Sequence, residues 1–140
     1  MPTGYSGTPL PKKLGITDST RLVVLGEPEE FAALLGELPA GVQHLSSITK
    51  TATLVHIFVK EPTVLAAELK RLRSKLSPEA SVWVSWPKKA SKVPTTVTDD
   101  VIRELALPLG FVDIKVCAVS EVWSGLKLVV RKELRSQSAA

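Results

Sequence analysis

The sequence predicts a single α/β domain with a mostly parallel sheet that closes in an antiparallel hairpin. Short β-branched runs alternate with amphipathic helical segments, residues 53–59 are almost continuously apolar, and very few residues separate the last two predicted strands. Alternating β and α units are typical of a sheet covered by helices on both faces, which makes a three-layer fold. With 140 residues, 44% of them hydrophobic, the chain is long enough to bury one sizeable core.

The first β and α units follow an N-terminal arm, which we place at residues 1–20. Residues 21–26 are a β-branched run that ends in glycine, and they predict a strand. Pro28 then opens a helix with acidic residues in its first turn. Residues 42–45 are either a short strand or a loop. One face of the helix should pack on the sheet, because its apolar residues recur at helical spacing: Phe31, Leu34, Leu35 and Leu38.

The middle of the chain has the clearest patterns. Residues 53–59 predict a strand that is buried on both faces and therefore central in the sheet. Pro62 begins a helix with a leucine stripe, and residues 81–86 predict the next strand. Thr98 is suited to cap a further helix, which Pro108 ends. The leucine stripe consists of Leu65, Leu69, Leu72 and Leu76.

The end of the chain decides the topology. Residues 111–118 and 125–131 predict two strands with only residues 119–124 between them. Parallel neighbours need a crossover of about a dozen residues or more, so these strands should be antiparallel. The plan is a shortened Rossmann-like fold, methyltransferase-like and short of about one βα unit; a flavodoxin-like open sheet is the alternative. We assign residues 21–135 to the α/β core and residues 136–140 to a frayed tail.

Composition predicts a cytoplasmic protein without a membrane segment, a disulfide or a metal site. No apolar run approaches the roughly 20 residues of a membrane helix, and residues 1–15 lack the apolar core of a secretory signal. Cys117 is the sole cysteine and is expected to be a packed thiol. His44 and His56 are the only histidines, so no zinc constellation can be recognised. His56 lies within an apolar strand and is expected to be buried and neutral.

The lysine loop, residues 88–92, is the strongest candidate site. It follows a predicted parallel strand, and α/β proteins bind ligands where such strands end. Lys88, Lys89 and Lys92 stand together without a neighbouring acid, and Trp86 offers an aromatic face. These residues predict an anionic small ligand, with a solvated loop as the alternative. Trp123 lies at another loop boundary and is expected to line the same pocket.

The N-terminal arm is the second candidate site. Thr8 is suited to cap a short helix that starts at Pro9. Ser6 and Thr8 offer hydroxyl groups to an anion, with Lys12 and Lys13 nearby, although the spacing is not that of a P-loop. We predict that the arm and the lysine loop frame one concavity. For the arm itself, packing over the sheet is the interpretation that we favour, and anion binding is the alternative.

The glutamate turn, residues 26–30, indicates that no cofactor binds. Dinucleotides and S-adenosylmethionine are usually cradled by closely spaced glycines, whereas this turn has only Gly26. Glu27, Glu29 and Glu30 complement the helix dipole themselves and would repel a phosphate or carboxylate. We therefore predict no cofactor and no measurable binding of S-adenosylmethionine. No catalytic residue is predicted either, since Ser85 has no evident histidine partner in the sequence.

Three sequence blocks carry a resemblance to known proteins. They are GYSGTPL with KKLGI at residues 4–16, WVSWPKK at residues 83–89, and VDIKVCA with WSGLK at residues 112–127. These blocks resemble a family of small bacterial proteins that is catalogued only as a domain of unknown function. The resemblance spans nearly the whole chain and implies no activity. More distantly, LSPEA at residues 76–80 looks like the turn before a late strand in class I methyltransferases.

The main functional prediction is a protein that binds an anionic small molecule at the carboxyl edge of the sheet, without a glycine-rich cofactor site. Such a protein would be either non-enzymatic or independent of a cofactor. One alternative is an enzyme on an anionic or nucleotide-like substrate, which would be a divergent methyltransferase. The other is a weak nucleic-acid or protein interaction module. The net charge of +4 is scattered, so nucleic-acid binding should be absent or nonspecific. The sequence does not indicate an oligomeric state.

Overall fold

The computed structural model describes residues 8–138, which form a six-stranded sheet with helices on both faces. The order of the strands in the sheet is β2-β1-β3-β4-β6-β5. The first four are parallel, and β6 runs antiparallel to both of its neighbours. The strands are β1 (Arg21–Leu25), β2 (Gln43–His44), β3 (Leu54–Phe58), β4 (Ser81–Pro87), β5 (Phe111–Ala118) and β6 (Trp123–Val130).

Five α-helices and two 3₁₀ helices connect or flank these strands in the described chain. The 3₁₀ helices are Lys89–Ser91 and Leu107–Leu109. Among the described helices, none combines the length and the apolar character that a membrane crossing requires. The α-helices are α1 (Leu10–Leu14), α2 (Phe31–Leu35), α3 (Pro62–Lys75), α4 (Asp99–Ala106) and α5 (Lys132–Ser138).

The predicted three-layer α/β fold with a terminal antiparallel strand is confirmed. The flavodoxin-like alternative is wrong, because β6 lies antiparallel between β4 and β5 instead of extending an all-parallel sheet. The undecided residues 42–45 contain the short edge strand β2, which pairs with β1. Helix α5 continues to Ser138, into residues that the sequence analysis assigned to a tail.

Helix α2 is shorter than predicted at both ends. It begins at Phe31 and not at Pro28, so the glutamates precede the helix and no acidic residue lies in its first turn. Gly36 has a φ of 67° and ends the helix after Leu35, so that Leu38 lies beyond it. Positive φ is a conformation that glycine adopts readily and that other residues rarely do. Helix α4 begins as predicted, since the Thr98 hydroxyl accepts a hydrogen bond from the Val101 backbone N–H at 3.2 Å.

The two faces of the sheet bury different side chains. Helices α3 and α4 cover the aliphatic face, whose core includes Val55, Ile57, Leu69, Leu72 and Ile102. Helices α1 and α2 cover the opposite side, the aromatic face, whose core includes Phe31, Phe58, Trp83, Trp123 and Leu14. Strand β3 contributes to both faces, because successive side chains of a strand point in opposite directions.

Candidate functional site

The carboxyl ends of β1, β3 and β4 lie at one edge of the sheet, where the glutamate turn and the lysine loop begin. Strand order reverses beside β1, since β2 lies on one side of it and β3 on the other. Such a switch point is where open α/β sheets bind their ligands. The glutamate turn leaves β1 at this point, and the lysine loop leaves β4 two strands away.

The glutamate turn packs directly on the end of β3. Gly26 has a φ of +69°, and a Cβ atom at this position would lie 2.5 Å from the backbone oxygen of Phe58. Only glycine permits both the conformation and this close approach. Glu27, Glu29 and Glu30 are all exposed, so three carboxylates surround the switch point.

An aromatic cluster lies behind the glutamate turn. The Phe58 ring contacts three other rings: His56 stacks on it at 4.3 Å between centroids, while Phe31 at 4.7 Å and Trp123 at 5.1 Å meet it edge to face. The indole N–H of Trp123 donates to a carboxylate oxygen of Glu30 at 3.4 Å. Trp123 therefore links the start of β6 to the glutamate turn and is itself buried.

His56 and Ser85 form a buried polar pair within this face. His56 Nε2 lies 2.7 Å from Ser85 Oγ, and the two residues are 1% and 0% exposed. Burial lowers the pKa of His56 to about 3, so the imidazole is neutral at physiological pH, as expected from the sequence. The expectation that Ser85 has no histidine partner is wrong, because pairing of β3 with β4 brings together residues that are 29 positions apart.

The His56–Ser85 pair is not a catalytic dyad. A serine nucleophile must be reached by its substrate, whereas this hydroxyl is fully enclosed. The hydrogen bond instead satisfies two polar groups that would otherwise be unpaired in the core. Since no sequence spacing connects the two residues, only the strand pairing reveals the contact.

The lysine loop presents its cations at the same edge of the sheet. The backbone N–H of Lys88 donates to the carbonyl of Val122 at 2.7 Å, which fixes the base of the loop. Lys89 and Lys92 are exposed, and Lys92 has a φ of 61°. Trp86 packs against the aliphatic face, whereas Trp123 lies on the aromatic face. The two tryptophans that were expected to line one pocket thus lie on opposite sides of the sheet.

The described part of the N-terminal arm crosses the aromatic face. Helix α1 has Pro9 as its N-cap, without a side-chain hydrogen bond from a capping residue. The indole N–H of Trp83 donates to the Leu14 carbonyl at 2.9 Å, so the described part of the arm packs over the sheet, as the favoured interpretation predicts. Ser6 lies outside the described residues, and Thr8, the predicted cap, precedes Pro9.

The two lysines of α1 point to different places. Lys13 Nζ donates to the Ala118 carbonyl at 3.0 Å, near the carboxyl edge. Burial raises the pKa of the Cys117 thiol, and the charges of Lys13, Lys115 and Lys88 oppose part of this effect. Lys12 instead lines an open groove of about 500 Å³ between α1 and the segment after α2.

No protein-family model matches this chain, and no curated protein matches it. Solved structures with a similar fold include S-adenosylmethionine-dependent methyltransferases. One from Aquifex aeolicus is 15% identical with a TM-score of 0.57, and the match covers 86% of this chain and 87% of that chain. The mitomycin 7-O-methyltransferase MmcR is 9% identical with a TM-score of 0.58 and coverages of 87% and 53%.

A third structure, the fibrillarin of Aeropyrum pernix with natively bound S-adenosyl-L-methionine, is 11% identical. Its TM-score is 0.54, and the match covers 90% of this chain and 70% of that chain. The protein studied here spans about half the length of MmcR and 56% of that of PigF, whose structure contains SAH. At these identities the comparisons establish the methyltransferase-like Rossmann fold, which confirms the distant resemblance.

The main functional prediction, an anion binder without a cofactor site, is wrong in view of these neighbours. Structures with the same fold hold S-adenosylmethionine or SAH. The alternative, a divergent methyltransferase, agrees better with the comparisons. The prediction rested on the single glycine of the turn and on repulsion of a phosphate or carboxylate by its glutamates. S-adenosylmethionine does carry a carboxylate, but it has no phosphate, and the prediction left out its cationic sulfonium and ammonium groups.

Proposed function

We propose that this protein is a divergent methyltransferase that uses S-adenosylmethionine at the glutamate turn and an anionic or nucleotide-like acceptor at the lysine loop. One observation carries the proposal: on a methyltransferase-like sheet, the carboxyl edge is acidic at the switch point and basic after β4. A cationic donor and an anionic acceptor would each meet complementary charge at such an edge.

The residues of the glutamate turn fit a cationic nucleoside. Two exposed carboxylates, Glu27 and Glu29, are available to a sulfonium or ammonium group, while Glu30 is held by Trp123. At 4 Å, opposite unit charges attract by about 1 kcal/mol in water and by about 4 kcal/mol near a protein surface. Gly26 allows the backbone of the turn to pack on β3. When bound, S-adenosylmethionine supplies an electrophilic methyl group.

The lysine loop would hold the acceptor. Lys88 is fixed through its backbone to Val122, and the exposed side chains of Lys89 and Lys92 are free to follow a phosphate. Lysine acts as a point charge on a flexible stem, so it neutralises an anion without demanding one geometry. Such a loop suits a phosphorylated acceptor of variable shape better than a small neutral molecule.

Calorimetric titration with S-adenosylmethionine and SAH tests the donor site. The double variant Glu27→Gln/Glu29→Gln should bind S-adenosylmethionine about tenfold more weakly, since about 1.4 kcal/mol of charge attraction would be lost. SAH lacks the sulfonium charge and should lose less affinity. Glu37→Gln, an exposed glutamate beyond α2, is the matched control and should behave as the wild type. Absence of binding of either compound to the wild type would refute the proposal.

A second measurement tests the acceptor half with a short single-stranded RNA as the probe. Methyl transfer from S-adenosylmethionine to this RNA, or RNA binding alone, should fall several-fold in Lys88→Gln/Lys89→Gln. Affinity for S-adenosylmethionine should not change, because the lysine loop lies two strands away from the switch point. Lys70→Gln/Lys75→Gln on the exposed side of α3 removes the same charge and serves as the control. Equal losses in both double variants would contradict a local acceptor site.

Membership of the small bacterial family of unknown function is also proposed, on the three sequence blocks at residues 4–16, 83–89 and 112–127. A cytoplasmic location remains a prediction from composition. Neither proposal affects the choice of donor or acceptor, which rests on the charges at the carboxyl edge.

A further inference from the structure

A polar cavity of about 200 Å³ lies at the amino edge of the sheet, opposite the proposed donor and acceptor sites. It is formed where β1, β3 and β4 begin and where α1 ends over the aromatic face. Five of its nine lining residues carry hydroxyl groups, and one carries a positive charge. The lining residues are Leu14, Gly15, Thr17, Ser19, Thr20, Thr53, Leu54, Ser81 and Lys127.

Lys127 is the sole charged residue in the lining of this cavity. Its ammonium group lies 6.0 Å from the centroid of the Trp83 ring. A Cβ atom at Gly15 would be 3.6 Å from Lys127 Nζ, so the lysine reaches the end of α1. Within the described chain, no carboxylate lies within ion-pair distance of this ammonium group. Burial and the neighbouring Lys115 both lower the pKa of Lys127.

Some of the hydroxyl groups around Lys127 are able to donate a further hydrogen bond. Thr20 is buried, and its oxygen accepts a hydrogen bond from the Thr17 N–H at 2.8 Å. Its own proton has one weak competing acceptor, the Thr17 hydroxyl oxygen at 3.5 Å. Ser81 makes no side-chain hydrogen bond in the described structure. Thr53 is less available, because its oxygen is engaged with both backbone groups of Arg21.

The charge of Lys127 and the hydroxyl groups of the lining together determine which class of ligand fits the cavity. A cation would meet the Lys127 ammonium, and an apolar molecule would meet mostly hydroxyl groups. An oxyanion would receive a charged hydrogen bond from Lys127 and a neutral one from Ser81, with a further neutral one from Thr20 in competition with Thr17. Charged hydrogen bonds are the stronger kind. The volume is that of a small group, such as a phosphate, rather than of a nucleotide.

We propose that this amino-edge cavity binds a small oxyanion, a phosphate group, through Lys127, Ser81 and Thr20. The phosphate would be either the free inorganic ion or the terminal group of a phosphomonoester. This site is separate from the donor and acceptor sites of the proposed function, because it lies at the other end of the strands. Its presence or absence therefore leaves that proposal unaffected.

Titration with inorganic phosphate, at constant ionic strength against chloride, tests the site by calorimetry. Lys127→Gln should weaken phosphate binding at least tenfold, and Ser81→Ala should weaken it several-fold. Lys127→Arg keeps the charge and should retain most of the affinity. Lys70→Gln on α3 removes an exposed charge far from the cavity and should bind as the wild type does. Glycerol 3-phosphate distinguishes free phosphate from a phosphomonoester as the ligand, since the ester binds only if the cavity leaves room for its glycerol group.

Amine acylation gives a second readout that does not require the variants to fold. In the wild type at constant ionic strength, phosphate should slow the acylation of Lys127 but not that of Lys70, as mass spectrometry of the labelled peptides would show. The proposal is overturned if phosphate shows no saturable binding to the wild type, or if Lys127→Gln and Lys70→Gln bind it equally. It is also overturned if phosphate leaves the acylation of Lys127 unchanged.

Discussion

The aliphatic and aromatic faces of the sheet are held together by different kinds of contact. On the aliphatic face, α3 and α4 bury leucine, isoleucine and valine side chains that contribute through apolar contact alone. On the aromatic face, buried polar groups depend on single partners: His56 on Ser85, and Trp83 on the Leu14 carbonyl. Losing one partner there leaves a buried polar group unpaired.

The proposed donor site and the proposed phosphate site both lie beside the face with directional contacts. The glutamate turn continues into α2, and the amino-edge cavity is closed by the end of α1, so both adjoin the aromatic face. Apolar packing is non-directional and tolerates exchange of one side chain for another of similar volume. Hydrogen bonds and ring contacts fix particular atoms in place, which a binding site requires.

Truncation of a leucine on α3 should remove apolar contacts from the aliphatic face and give the largest loss of stability. Leu69→Ala should lower the free energy of unfolding by about 2 to 5 kcal/mol, because a fully buried side chain leaves a cavity. Val64→Ala on the same helix is the control, since Val64 is 51% exposed, and it should change stability by less than about 0.5 kcal/mol. Urea denaturation measures both. Similar losses in the two variants would show that α3 does not pack as described.

Most of the fold was predictable because its signals are local. The leucine stripe of α3 and the apolar run of β3 each indicate their burial within a few residues. The antiparallel hairpin followed from the short connection before β6. The early end of α2 was not predictable, since its apolar spacing continues to Leu38 and only the conformation of Gly36 stops the helix.

The candidate site was harder to predict because its parts come from distant segments. The position of the lysine loop directly after a predicted parallel strand indicated that it lies at the carboxyl edge. Placement of Trp86 and Trp123 on opposite faces depends on strand register, which pairs Trp86 with Ser124 and Pro87 with Trp123. The amino-edge cavity draws on α1, β3, β4 and β6, and no sequence spacing connects these elements.

Acid should lower the stability of the folded protein through His56, by an amount between those of the leucine and threonine substitutions. The folded pKa is about 3, below the unfolded value of 6.5, so the unfolded state binds more protons as the pH falls. Between pH 6.5 and 4.5 the protein should lose about 2 kcal/mol of stability through this group. Asp113, whose pKa Arg103 lowers below its ordinary value of 3.8, contributes only at lower pH.

Denaturant titrations at several pH values measure this dependence. In His56→Leu, the loss of stability between pH 6.5 and 4.5 should shrink by about 2 kcal/mol, whatever the starting stability of the variant. The exposed residue Val64 provides the comparison: Val64→Ala removes no titratable group and should keep the pH dependence of the wild type. An unchanged slope in His56→Leu would mean that the imidazole is not buried and neutral in the folded state.

The smallest effect should come from a polar contact at the margin of the aliphatic face. Thr98→Ala removes the hydroxyl that caps α4, and it should cost about 1 kcal/mol because one backbone N–H at the helix start loses its protein partner. Thr96→Ala, an exposed threonine two residues earlier, should be neutral within about 0.5 kcal/mol. Water can replace the lost hydrogen bond at this exposed helix end, whereas water cannot reach the buried pair of His56 and Ser85. Thermal denaturation of both threonine variants and of Leu69→Ala would therefore rank these contacts by their contribution to stability. If Thr98→Ala lost as much stability as Leu69→Ala, the aliphatic face would not be stabilised mainly by apolar packing.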